Sequence, residues 1–108
     1  MLTHAASKDE IQTRVRRGYL ERLDLRLKKM RRFLSDREWN QLRIECMHLK
    51  NTAASFDFQE IARLALDTEN SIPRDAHSSA LHLPEARQKA ETLFSEIEHA
   101  IARTQATL

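Results

Sequence analysis

Apolar residues return every three or four positions along four stretches of the chain, each bounded by residues suited to a helix end. In the first stretch Leu20, Leu23, Leu27, Met30 and Leu34 form one stripe, and Arg22, Arg26, Lys29 and Arg32 fill the opposite face. Ser7 and Glu10 make an S-x-x-E capping box, so the predicted helix starts there and runs through Gly18, a weak point, to about Leu34. A second box, Ser35 to Glu38, opens a helix whose stripe is Trp39, Leu42, Cys46, Leu49, Ala53 and Phe56. Asp57, with Glu60 three residues on, reads as the N-cap of a third helix carrying Ile61, Leu64, Ala65, Thr68 and Ile72, which Pro73 stops. Residues 73–83 have no period and are rich in small and polar side chains, so they are expected to be a long, mobile connection. Pro84 suits the first turn of a last helix with Ala86, Ala90, Leu93, Ile97, Ile101 and Thr104 facing inward.

Four amphipathic helices, with short second and third connections, imply an all-α fold. The expected architecture is an antiparallel four-helix bundle over residues 19–108, preceded by a helical extension over 1–18. Composition agrees: one Gly and two Pro in 108 residues leave too few turn formers for a sandwich or barrel. A P-loop and a dinucleotide fingerprint each need at least two spaced glycines, so both are excluded. The single Cys46 excludes a disulfide framework and a multi-cysteine zinc site, and its place in the stripe marks a core thiol. No apolar run approaches the roughly 18 residues of a membrane span, and the first residues lack a signal peptide's apolar region. A cytoplasmic, reducing setting without a membrane partner is therefore expected. Paired carboxylates, a nucleophile with its base, and histidines at ligand spacing are all missing. The chain is thus expected to be no enzyme and to hold no cofactor or metal.

Charge is uneven. Residues 1–35 hold ten Lys/Arg against four Asp/Glu, and residues 36–108 hold eight against twelve, for a net charge of +2. RVRR at 14–17 and KKMRR at 28–32 could attract an acidic polymer. No nucleic-acid motif or exposed aromatic set accompanies them, so a solvated face beside acidic helices is the preferred reading over nucleic-acid binding.

The stretch from Met47 to Phe58, MHLKNTAASFDF, resembles the signature of histidine phosphotransfer domains, roughly H-x-L-K-G-x-A-x-x-x-G on the second helix of a four-helix bundle. The resemblance runs without a gap over residues 19–72. With Leu49-Lys50 on the family's Leu-Lys, Ala53 takes the small core position, Phe56 the buried apolar one and Asp57 the inter-helix glycine. Met47 then occupies the phosphoacceptor histidine position. A one-residue slip to seat His48 there would rotate every side chain by about 100° and break the Leu49 stripe. In the family an exposed imidazole carries a phosphoryl group between receiver aspartates. A thioether is a poor nucleophile toward phosphorus, and Asn51 crowds the space that the family's glycine leaves open. Lys50 keeps the lysine that in the family offsets phosphoryl charge.

The resemblance implies a signalling module that docks a response-regulator receiver domain or a histidine kinase without phosphotransfer at the usual position. Asn40, Ile44, Met47, Asn51 and Ala54 share the strip that in the family meets the partner, with His48 and Lys50 beside it. His48 sits one turn from Glu45, which reads as its hydrogen-bond partner; a displaced phosphoacceptor role for His48 is the nearest alternative. A helical adaptor unrelated to phosphorelays, and a basic nucleic-acid-binding module, are the other classes. The sequence leaves monomer against dimer open.

Overall fold

In the computed structural model, which describes residues 8–106, the chain forms four helices: α1 (Lys8–Ser35), α2 (Trp39–Ser55), α3 (Gln59–Ser71) and α4 (Pro84–Ala106). Among the described residues each packs on two neighbours in a closed ring, α1 on α2 and α4, and α3 on α2 and α4, with no diagonal pair. Cross-helix contacts fix the directions. Tyr19 reaches Thr52 while Lys29 reaches Glu45, so α1 and α2 run antiparallel. The result is an all-α four-helix bundle, and no strand occurs among the described residues.

The stripes read from the sequence are the core. Leu20, Leu23, Leu27, Met30 and Leu34 of α1 meet Trp39, Leu42, Cys46, Leu49 and Ala53 of α2. Ile61, Leu64, Ala65, Thr68 and Ile72 close the third side, and Ala86, Ala90, Leu93 and Ile97 the fourth. Thr68, the one buried polar residue among those described, satisfies its hydroxyl by donating to the Leu64 carbonyl at 2.8 Å. Tyr19, Phe33, Ala62, Phe94 and Ala100 are also buried, which adds to the stripes of α1, α3 and α4. Phe56 and Ile101 pack at the margin.

The helix junctions differ from the expected caps. Ser35 is the last residue of α1, α2 starts from Glu38 and α3 from Phe58, and neither start carries a side-chain cap hydrogen bond. Both junctions instead use the Schellman arrangement. Glu38 N–H donates to Phe33 at 2.8 Å and Arg37 N–H to Leu34 at 3.1 Å; Phe58 N–H donates to Ala53 at 2.8 Å and Asp57 N–H to Ala54 at 3.1 Å. Arg37 and Asp57 are therefore left-handed, with φ of 54° and 64°. The S-x-x-E and D-x-x-E patterns mislead because the preceding helix claims their first residues to close its own C-terminus. The box at Ser7 lies outside the described residues.

α1 continues through Gly18 without a break. Residues 10–15 are exposed, and burial begins in earnest at Tyr19. The 73–83 connection is irregular but tethered: Ala76 is buried, and Trp39 Nε1–H donates to the Leu81 carbonyl at 3.0 Å. Arg87 Nη2 reaches the Leu34 carbonyl at 3.4 Å, so α4 helps close the C-terminus of α1.

Candidate functional site

The core stripe of α2 decides which residues face away from the bundle. Leu42, Cys46, Leu49 and Ala53 are fully buried, so the strip on the far side consists of Asn40, Ile44, Met47, Asn51 and Ala54. Asn51 and Ala54 are exposed, while Asn40, Ile44 and Met47 are half-buried. The apolar part of this surface is therefore Ile44 and Met47, with the small Ala54 at its end.

Charged neighbours frame the strip on both sides. Toward α3, Lys50 Nζ sits 2.9 Å from Glu69 Oε1, an ion pair whose carboxylate is well shielded. Lys50 is thus committed to α3, a feature that sequence reasoning missed because Glu69 is nineteen residues away on another helix. Arg43 Nη2 donates to Asn40 Oδ1 at 2.8 Å, which fixes the amide at one end of the strip. Toward α1, Glu45 is gripped by Lys29 at 3.1 Å and by Arg26 at 3.7 Å.

That double grip corrects the expectation for His48. Glu45 pairs across the helix interface with two cations of α1, and no hydrogen bond or ion pair joins it to His48. His48 is exposed. A carboxylate offered two cations at an interface gains more than one offered a neutral imidazole on its own helix.

Cys46 lies on the opposite, core-facing side of α2. Burial pushes its thiol up to about 12, with the negative charges of Glu69 and Glu45 adding to the shift. The thiolate is the reactive form, so this side chain is a packing group. At the end of α2 the Tyr19 ring stacks on Phe56 at 4.4 Å between centroids, and its hydroxyl meets Thr52 Oγ1 at 2.9 Å. Burial holds the Tyr19 phenol above its ordinary range despite the Thr52 hydrogen bond and the nearby Arg26 and Arg22. This cluster ties α1 to the α2–α3 junction and so fixes how far α2 is rotated.

Met47 supplies a polarisable apolar contact, with no proton to give and no lone pair basic enough to carry phosphate. Among the described residues no group of three His, Cys, Asp or Glu side chains could hold a metal ion. Nor is any helix among them long and apolar enough to cross a membrane. Comparison of the chain with protein-family models, with curated proteins and with solved structures finds no match.

Proposed function

We propose that this chain is a phosphotransfer-like signalling module that docks a response-regulator receiver domain or a histidine kinase through the outer face of α2, without relaying phosphate at Met47. The observation that carries this reading is the full burial of Leu49 and Ala53, which turns Met47 outward in the register of the H-x-L-K motif. The left-handed Asp57 supports the same register, since it stands where the motif has its second glycine and adopts the backbone that glycine favours. With a thioether at the centre of the face and Lys50 held by Glu69, the module acts by occupying a partner's surface as an inhibitor, competitor or scaffold. The single buried cysteine fits a cytoplasmic setting.

His48 carries the second reading. It is exposed, and Glu45, its nearest carboxylate along the helix, is taken by α1, so an approach rotated around α2 would find a free imidazole. Loss of labelling in His48→Gln separates the two readings.

Affinity capture from the native host, scored for receiver domains and histidine kinases, tests the proposal. Wild-type protein is expected to retain such a partner, and Met47→Glu or Ile44→Glu to lose it, because each places a charge in the apolar centre of the face. Retention unchanged by both substitutions contradicts docking through α2 and returns the chain to the class of unrelated helical adaptors.

A further inference from the structure

Several cations along α1 have found a carboxylate. Arg26 and Lys29 share Glu45, Lys28 reaches Asp24, and Arg31 reaches Glu98. Arg16 and Arg17 have no such partner among the described residues. The Nε–H of each, like that of Arg43, is shut away from solvent and meets no acceptor among the described residues.

Both side chains line a cleft of about 460 Å³ between α1, the start of α3 and the last turns of α4. The Arg16 guanidinium lies over the Phe58 ring, 4.3 Å from its centroid, which holds the fork in one plane. Arg103 completes the wall from α4. The carboxylates nearby are already engaged: Glu96 with Arg103 at 2.9 Å, and Glu60 with Arg63. Asp57 Oδ1 accepts from Gln59 Nε2 at 3.4 Å. Arg16 and Arg17 are therefore left without an ion-pair partner among the described residues, in a cleft that Asp57, Glu60 and Glu96 also line. The first residues of α3, whose N–H groups have no partner within their helix and no side-chain cap, line the same space and add partial positive charge.

We infer that this cleft binds a phosphomonoester. Guanidinium forks match a phosphoryl group's oxygens. The volume lies within the usual range for small-molecule sites, about 300–1,000 Å³, and exceeds what a bare phosphate fills. The site is separate from the α2 face and does not rest on the docking proposal.

The test is a titration of isotope-labelled, full-length protein with phenyl phosphate and, in a parallel arm, with inorganic phosphate, both at constant ionic strength set by chloride. The amide signals of Gln59, Glu60 and Ile61 and the Nε–H signals of Arg16 and Arg17 are followed. Saturating shifts confined to these groups are expected, with a lower midpoint for phenyl phosphate. Arg17→Gln should raise that midpoint about tenfold or more, since it removes one charged fork. This variant keeps the Arg16–Phe58 contact, so it remains informative if Arg16→Gln loosens α1; a helical far-ultraviolet spectrum verifies the fold of each. Shifts that never saturate, that spread along all of α1, or that persist unchanged in Arg17→Gln overturn the inference. Equal midpoints for the two ligands overturn the assignment to a phosphomonoester.

Discussion

The chain's one glycine sits mid-helix, while its two left-handed residues are Arg37 and Asp57. Nothing in the backbone requires a glycine at position 18, because its φ is not positive and a Cβ placed there would meet only Arg22 Nη1, at an ordinary 3.8 Å. Gly18→Ala should raise stability by about 0.5–1 kcal/mol in urea unfolding, because alanine loses less backbone freedom in a helix. Asp57→Gly should raise it by about 1 kcal/mol, because glycine carries no penalty for a left-handed backbone. A loss of stability in Asp57→Gly would show that the carboxylate does more at this junction than occupy a turn.

Cys46 makes stability depend on pH. Its folded pKa is raised from 9.0 to about 12, so the buried thiol's contribution is intact below pH 9 and is lost as pH rises between those values. In that window the unfolded chain has released a proton that the folded chain still holds. Unfolding free energy should therefore fall by up to about 1.4 kcal/mol per pH unit, and Cys46→Ala should flatten the slope. Below that window a disulfide reagent should react with the native protein only as fast as it opens. Rapid modification of native protein at pH 8 would contradict the buried position.

Among the helices and their connections, the existence, order and inward faces of all four helices were legible in the sequence. Each stripe keeps its three-four spacing because each helix has a single wet side, and Pro73 and Pro84 bracket the irregular connection. The junctions were less legible. Ser35 and Asp57 look like N-caps in one dimension, but a Schellman closure draws on residues up to five positions back, and the pattern of S/D-x-x-E cannot show which helix wins them. The outer strip of α2 followed directly from its stripe. The ion pairs that frame it did not, because Lys50–Glu69 and Lys29–Glu45 join residues brought together only by packing.

The connection after α3 illustrates the same limit. Its composition suggests mobility, yet Trp39, buried to 1% exposure, donates to the Leu81 carbonyl and so binds the loop to the start of α2. Trp39→Phe removes that donor and leaves a gap beside Leu42. It should cost about 1–3 kcal/mol and increase hydrogen exchange through residues 76–83. An unchanged exchange pattern there would show that the tether is not what orders the loop.

Across the molecule as a whole, part of the basic character of residues 1–35 serves to hold the bundle together. Arg26, Lys29 and Arg31 of α1 meet acidic partners on α2 and α4, which explains why a chain with net charge +2 divides so unevenly. Arg16 and Arg17, which have no such partner among the described residues, lie on a different margin from Ile44 and Met47 of the proposed docking face. The proposed function thus concerns one surface of the bundle and the proposed ligand another, and each can fail without the other.

Docking without phosphotransfer is tested by incubating the protein with the host's receiver domains carrying a labelled phosphoryl group, separating the complexes by native gel filtration, and counting acid-labile label on each chain. Wild-type protein is expected to co-elute with a receiver and Met47→Glu is not, while label stays on the receiver or is lost to water. Rapid appearance of acid-labile label on this chain, abolished in His48→Gln, would contradict that expectation and make His48 a working phosphoacceptor.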